Sequence, residues 1–492
     1  MTSVPDWLAA QAERVIETSC AWVFLLEGRA LKVKKPVDFG FLDYSTLEKR
    51  RWALDRELRF NRATAPDIYR RVRQITRDSS GALAFDGSGE VVELALEMRR
   101  FDPGQVLAEQ PDAVDAALAE TLGRTIARFH AGAEVRPGGG GVRALGYTIR
   151  TNAEHLLAMG EVLGRDDVQR VVADTDAAFA AASPLLEQRR TEGFARRCHG
   201  DLHLGNILLE DGRPVLFDCI EFNDLLSEID ALYDVALLVM DLWFRDRREP
   251  ANRVLNAYMD EAARSFPETI WDGLSALPVM FSARASVRAH VTANQDQPDL
   301  ARAYLAAAAE HLAPPSPRLA AIGGLSGTGK TTLARALAPR IGAAPGAVIL
   351  RTDEIRKRLA GVGPLDRIPR SAYTPVMSER VYGEMNRVAR RLLGAGRAVV
   401  LDAVFLRREE RAAARAIADE AGVPFQGAWL HGRADELRAR LDARTGDASD
   451  ANAAVLDEQL ERDAGDIDWQ IHDASDLAAA DDRIARDLRE DI

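Results

Sequence analysis

Cysteine is scarce here: Cys20, Cys198 and Cys219 are the three in 492 residues. An odd, sparse count excludes a disulfide framework and fits a reducing compartment. A basic excess is also missing. The formal net charge is −12, which argues against a nonspecific nucleic-acid coat, since such coats neutralise phosphates with many Lys and Arg. Net charge does not describe distribution, so a local basic groove stays compatible with it. Met1 to Gln11 carry Asp6 and no basic segment followed by an apolar one, so no signal peptide is read there. The most apolar long stretch, Ala231 to Phe244, contains Asp234 and Asp241 and is too short to span a bilayer. No internal repeat is visible. The expectation is a cytoplasmic chain with neither membrane nor nucleic acid as partner.

What is present fits an ordinary folded chain, 47% apolar and 28% charged. The length suits two or three domains. A break is expected at Ala313-Pro314-Pro315-Ser316-Pro317, because three prolines in four positions cannot continue the Ala-rich helix before them. That gives domains 1–313 and 318–492 with 314–317 as linker.

The second domain alternates strand and helix. Strands are expected at Leu319–Gly323, Ala347–Arg351, Ala398–Leu401 and Gln426–His431, which implies an α/β parallel sheet covered on both faces. Between the first strand and the helical run Leu333–Leu337 lies Gly324-Leu-Ser-Gly327-Thr328-Gly329-Lys330-Thr331-Thr332, a phosphate-binding loop. Glycines let backbone N–H groups turn inward around phosphate oxygens, and the helix start adds its dipole. Lys330 is expected on the β and γ phosphates of ATP, and the Thr331 hydroxyl on Mg2+.

Carboxylates at the carboxyl ends of parallel strands face the ligand crevice. Asp353 therefore suits a base that takes a proton from an acceptor hydroxyl, with Arg356 beside it for an anionic acceptor. The competing reading is that Asp353 caps the helix from Glu354. Asp402 is a second carboxylate, for magnesium or for the acceptor. Arg438, Arg440 and Arg444 lie on a polar helix. Arg440 and Arg444, four apart, share a face and suit a lid over the phosphates, or simply a solvated surface. This domain resembles the small P-loop kinases: gluconate kinase, polynucleotide kinase, zeta-type toxins and, more distantly, adenylate kinase. By that resemblance Asp353 is the acceptor-activating base.

A second constellation lies upstream, in His199-Gly200-Asp201-Leu202-His203-Leu204-Gly205-Asn206. Asp201 and Asn206 have kinase catalytic-loop spacing, in which Asp accepts the hydroxyl proton and Asn ligates magnesium. Asp211-Gly212 between two apolar runs predicts a hairpin that returns Asp218 beside Asn206 as a second magnesium ligand. These types suffice, because phosphoryl transfer is mostly positioning and charge neutralisation through hard oxygen ligands. Cys198, His199, His203 and Cys219 lack the paired spacing of a zinc site, and His199 is read as a buttress of the loop.

The cation for the α and β phosphates is expected at Lys32, in the second of two strands spanning Val23–Val33, with Glu57 of the helix Thr46–Ala63 as its partner. Lys34 points the same way and competes with it, ahead of Lys35. Leu94–Met98 is expected to enter a hinge for adenine. No Gly-rich loop precedes Lys32; Glu17–Ala21 occupies that place. Gly138–Gly141 is read as a plain linker.

These residues resemble the aminoglycoside phosphotransferase and choline kinase-like group. The resemblance implies an α+β protein-kinase-like fold, with a small mixed lobe to about residue 100 and a helical lobe after it. The whole chain is similar to a bacterial family that fuses such a domain to a P-loop ATPase domain, above all in Lys32–Phe41 and the Glu57…Asn61 helix. The function expected is an ATP- and Mg2+-dependent phosphotransferase with two nucleotide sites and small-molecule hydroxyl acceptors. The alternatives are a kinase-like domain regulated by a P-loop ATPase switch, a nucleotide-binding stress or regulatory protein, or a kinase-like domain that only binds partners.

Overall fold

The computed structural model describes residues 2–40, 42–369, 373–443 and 449–490. They fall into two compact units. One is Met1–Thr121 with Gly132–Thr148 and Glu187–Leu238; the other is Leu122–Ala131 with Ile149–Leu186 and Val239–Ile492.

In the first unit, α1 (Val4–Ala9) leads into β1 (Arg14–Glu17), β2 (Ala21–Leu26), β3 (Arg29–Lys34), α2 (Leu47–Asn61), β4 (Tyr69–Arg77), β5 (Leu83–Phe85) and β6 (Glu90–Arg99). The strands form one sheet in the order β1-β2-β3-β6-β4-β5 with antiparallel neighbours. Successive side chains alternate between faces. Leu31, Val33 and Ala95 join Phe24 and Ile75 on one face, whereas Leu94 and Leu96 meet Leu54 of α2 on the other. Lys32 and Lys34 fall on the α2 side by the same parity. Thr46 starts α2, its hydroxyl accepting the Lys49 N–H.

Further along, β7 (Ala195–Arg197) pairs with β10 (Glu228–Asp230), and β8 (Ile207–Glu210) pairs with β9 (Arg213–Leu216). Asp211 and Gly212 make the expected hairpin turn, with φ of 49° and 73°. α7 (Asp224–Ser227) is a single turn. Helices α3 (Ala116–Gly132), α4 (Gly141–Ala158), α6 (Arg165–Thr191) and α8 (Ala231–Phe244) contribute residues to both units. The apolar run expected not to span a bilayer is α8, a core helix whose Asp234 is fully buried. Among the described residues no helix is long and apolar enough to cross a membrane.

The second unit holds α5 (Gly160–Leu163), α9 (Arg248–Ala262), α10 (Leu277–Asn294) and α11 (Pro298–Leu312), then β11 (Leu319–Gly324), α12 (Lys330–Leu337), β12 (Val348–Arg351), α13 (Thr352–Leu359), α14 (Pro375–Gly394), β13 (Val399–Asp402), α15 (Arg408–Ala421), β14 (Phe425–His431), α16 (Ala434–Ala443), α17 (Ala453–Leu460), β15 (Gln470–Asp473) and α18 (Leu477–Glu490). The sheet is parallel, in the order β12-β13-β11-β14-β15. Every residue of β11 is buried, as both faces are covered. One face packs Ile322 and Val400 against Leu333 and Leu337 of α12 and Ile484 and Leu488 of α18. Four strands lie within one or two residues of their expected places. The fifth, β15, was not expected: its one apolar residue, Ile471, is 64% exposed, so no burial pattern marks it. It forms by pairing Gln470 with Ala428 along the edge of β14.

Candidate active sites

In the first unit, β3 and α2 bring two charges together. Lys32 Nζ lies 2.7 Å from Glu57 Oε1 and 2.9 Å from Asp218 Oδ1. Burial opposes the charge on Lys32 and Glu57, but mutual attraction wins. The ammonium of Lys32 is held well above its ordinary pKa by Asp218 and Glu57. Glu57 is held below the usual carboxylate range by Lys32 and Lys34, and Asp218 by Lys32.

Lys34, the rival for the phosphates, is engaged elsewhere. Its Nζ is 2.6 Å from Glu57 Oε2 and 2.7 Å from Glu221 Oε1, and the Tyr44 hydroxyl donates to that same Glu221 oxygen at 2.6 Å. Releasing Lys34 would leave the buried Glu221 without its cation. Lys35 donates to Glu17 Oε1 and to the Thr18 carbonyl. The β1–β2 connection, where a Gly-rich loop is missing, is a tight turn in which Thr18 Oγ1 accepts the Ala21 N–H.

The loop 199–206 is held from below. Asp234, in the first turn of α8, accepts the His199 N–H at 3.0 Å and the Gly200 N–H at 2.8 Å. Gly200 has φ +86°, and a Cβ there would stand 2.7 Å from the Leu226 carbonyl oxygen, so only glycine fits the bend. His199 buttresses the loop as expected: Nε2–H donates to the Phe217 carbonyl at 2.8 Å and Nδ1 accepts the Asp201 N–H at 3.3 Å. Burial lowers its pKa, so the ring is neutral at neutral pH. Asn206 Nδ2 donates to the Asp201 carbonyl at 2.8 Å and to its Oδ2 at 3.2 Å. His203 Nε2 is 3.5 Å from the same Oδ2.

The hairpin closes the site. Phe217 N–H donates to the Asn206 carbonyl at 3.0 Å, which brings the chain back just before Asp218. Asp218 takes φ +61°, and Tyr69 accepts its N–H at 3.0 Å. Asn61, fully buried on α2, accepts the Cys219 N–H and donates to the Glu57 carbonyl. Both magnesium candidates, Asn206 and Asp218, are oxygen donors, and Asn206 spends its amide N–H on Asp201, which leaves the amide oxygen for a cation. The Asp218 side chain is 46% exposed and pairs with the Lys32 ammonium. That donor set fits a hard divalent ion.

The phosphate loop of the second unit joins β11 to α12. Gly324, Gly327 and Gly329 have φ of 139°, 86° and 89°. A Cβ would stand 2.6 Å from the Leu430 carbonyl oxygen at Gly324 and 2.8 Å from that of Leu437 at Gly327. Thr328 is buried and donates to the Leu325 carbonyl; Thr332 is exposed on the first turn of α12. Lys330 Nζ donates to the Leu325 carbonyl at 2.9 Å, folded over the loop it would share with phosphates. Thr331 Oγ1 donates to Asp402 Oδ2 at 2.6 Å, and Arg351 Nε lies 3.3 Å from that oxygen. The parallel register sets this trio, because Asp402 is level with Ile322 on one side and Arg351 on the other. A hydroxyl and a carboxylate side by side at the loop fit magnesium.

Asp353 does not cap its helix. α13 begins at Thr352 with Arg351 as N-cap, so Asp353 sits inside the first turn. Burial raises its pKa against the pull of Arg351, and Ser449 donates a hydrogen bond to it. Arg356 is 9% exposed, and among the described residues its Nε and Nη1 have no hydrogen-bond partner; its guanidinium lies 4.8 Å from the Tyr373 ring centre. Arg440 donates to the Ala474 carbonyl and Arg438 pairs with Asp457, whereas Arg444 lies outside the described residues. Helices α16 and α17 reach the loop through other groups. Leu325 packs with Leu437, Leu441 and Leu456, and Gln459 Oε1 accepts the Ser326 N–H at 2.8 Å.

Sequence reasoning missed Asp234, Glu221, Asn61, Gln459 and Arg351. One of them carried a signal: an acid inside the apolar run Ala231–Phe244 needs buried donors.

Comparison with known proteins finds a match for each half of the sequence. Residues 45–277 match the model of the phosphotransferase enzyme family, and residues 319–464 match that of an AAA domain. The uncharacterized protein Rv2004c of Mycobacterium tuberculosis is 32% identical over 486 residues, covering 95% of this chain and 93% of the relative. Among solved structures, a gluconokinase from Sinorhizobium meliloti aligns at 24% identity with a TM-score of 0.26, over 35% of this chain and 93% of its own. A choline kinase from Cryptosporidium parvum aligns at 12% identity with a TM-score of 0.42, over 61% and 89%. The mycobacterial match runs through nearly the whole of both chains, and with it the chain belongs to that family, a kinase-like phosphotransferase domain fused to a P-loop domain.

Proposed function

We propose that the chain is a bifunctional ATP-dependent phosphotransferase with one nucleotide site in each domain, working on small hydroxyl-bearing acceptors in the cytoplasm, with the functional boundary at 314–317. The observation that carries this reading is that each half brings a lysine, oxygen donors and a further carboxylate together: Lys32 with Glu57 and Asp218 near the Asn206–Asp201 pair in one, and Lys330 on the loop with Thr331, Asp402 and Asp353 in the other. Magnesium-ATP, when bound, supplies the phosphoryl group and the charge that neutralises it. Lys32 holds phosphate oxygens in the first site and stays oriented by Glu57. Asn206 and Asp218 hold the metal, and Asp201 Oδ2 takes the acceptor hydroxyl proton. In the second site Lys330 and the loop amides hold phosphates, Thr331 and Asp402 hold the metal, and Asp353 takes the proton. Arg440 flanks the nucleotide.

Arg356 supports an anionic acceptor at the second site. A buried guanidinium with two nitrogens that are unpaired among the described residues is costly unless a ligand completes it. A nucleotide switch has no use for that cation or for a buried carboxylate with a raised pKa beside it. Calorimetric titration with magnesium and a nonhydrolysable ATP analogue tests the reading. Two equivalents should bind the wild type, with one lost in Lys32→Ala and the other in Lys330→Ala. A single equivalent, lost only in Lys330→Ala, would leave the first domain without a nucleotide and overturn the two-site reading.

A further inference from the structure

The segment that presents Asp353, β12 followed by α13, is braced along its length by residues far upstream of the AAA-domain match. β12 is the edge of its sheet, and an edge strand carries unpaired backbone groups. Two asparagines of α9 take the place of a neighbouring strand. Asn256 Oδ1 accepts the Ile349 N–H at 2.7 Å and its Nδ2 donates to the Ala347 carbonyl at 3.2 Å. Asn252 Nδ2 donates to the carbonyls of Pro345 and Ala347 at 3.0 and 2.9 Å.

The same helix and the turn that follows it hold α13. Asp260 Oδ1 accepts from Arg358 at 3.0 Å, near the end of α13, and Arg264 donates to the Val362 carbonyl just beyond it. At the start of α13, Glu354 Oε1 lies 3.7 Å from Arg124 Nη2 and 3.2 Å from Arg351 Nη1. Arg351 continues to Asp402 and so to Thr331. Arg124 is itself fixed by Asp260 Oδ2 at 2.9 Å. It reaches that place because α3 crosses α9 at Gly123, where a Cβ would stand 2.4 Å from the Val254 carbonyl oxygen.

We propose that Arg124, Asp260 and Asn256 are positioning residues for the P-loop reaction: from α3 and α9 they fix the β12–α13 unit that carries Asp353, Glu354 and Arg356. The inference rests on reading the P-loop site as a phosphotransferase. On it, that site is built partly from the stretch that matches the phosphotransferase family. Fusion of the two domains then has a mechanical reason, since the acceptor side of the second site is completed from the first stretch of chain.

The test uses the full chain in an Asp201→Asn background, with γ-labelled ATP and a small-molecule cell extract as acceptor source. Lys330→Ala should abolish the remaining transfer; if it does not, the reading of the P-loop site fails and the proposal with it. Given that loss, Asp260→Asn, Arg124→Gln and Gly123→Ala should each lower kcat about 10- to 100-fold and leave the KM for ATP within about twofold, because the loop that grips phosphate is untouched. Arg124→Lys should recover part of the loss. Arg128→Ala is the control, one turn along α3 and bonded to Glu261, which Arg124 reaches only at 3.4 Å; it should match the background. Equal behaviour of Asp260→Asn and Arg128→Ala would overturn the proposal, as would a KM that rises in step with the fall in kcat. Hydrogen exchange gives a readout free of activity. Asn256→Leu should lower protection at the Ile349 amide and spare Ile322 in β11. Unchanged protection at Ile349, or equal loss at both, also overturns it.

Discussion

Asp234→Ala removes the one carboxylate that holds two consecutive N–H groups of the 199–206 loop. Both bonds are short and the acid is fully buried, so no water replaces it. A hydrogen bond to a charged acceptor contributes about 1.5–3 kcal/mol, which gives roughly 3–6 kcal/mol for the pair. Part of that appears as lost stability. The rest appears as a loop free to leave its bend, and Asp201 is the next residue. Every 1.4 kcal/mol spent on reordering is about a tenfold loss in rate, so kcat at the first site should fall by about 100-fold or more. Lys32, Glu57 and Asp218 are held by other contacts, so the KM for ATP should change much less. Asp234→Asn keeps one acceptor oxygen but turns an NH2 toward the second N–H, and should lose about half the free energy. The assay is labelled transfer in a Lys330→Ala background, with hydrogen exchange at His199 and Gly200. Unchanged kcat together with unchanged protection at those amides would refute the reasoning.

Three further outcomes follow. Glu57→Gln leaves Lys32 and Lys34 short of their shared buried anion and should destabilise the first unit by about 3 kcal/mol at neutral pH in urea unfolding. The folded pKa of Glu57 is depressed, so its contribution is present above the unfolded value and is lost as pH falls through the folded one; the gap between wild type and variant should narrow in acid. Asp353→Asn should stop transfer at the second site yet raise the melting temperature at neutral pH. Its folded pKa is raised, so the charged form opposes folding once pH exceeds that value, while activity needs that form and should fall as pH drops through it. Gly329→Ala adds about 1–2 kcal/mol of left-handed strain. It also sets a Cβ 2.8 Å from Leu477 Cδ1, and should remove the second-site equivalent, and that one alone, from the calorimetric titration.

Much of this architecture is legible in the sequence because short-range rules dominate it. Alternation in β3 set Lys32 opposite Leu31 and Val33, and the Asp211-Gly212 turn folded Asp218 toward Asn206. The β11–loop–α12 run was legible since glycines, lysine and apolar strand agree within a dozen residues. Long-range partners were not. Lys34 looks equivalent to Lys32 in β3 and is distinguished only by Glu221, which is remote in sequence. β15 has no burial pattern to read, being an edge strand with an exposed Ile471. Asn252 and Asn256 read as polar positions on a helix, and nothing local says that they seal a strand almost 100 residues later.

The central claim is that both halves transfer phosphate to an acceptor. The direct measurement is transfer from γ-labelled ATP into a small-molecule extract by wild type, Asp201→Asn and Lys330→Ala, with products resolved chromatographically. Two labelled products, one lost in each variant, are predicted. Labelled free phosphate alone, lost only in Lys330→Ala, would contradict the account and leave a P-loop ATPase beside a kinase-like domain that transfers nothing.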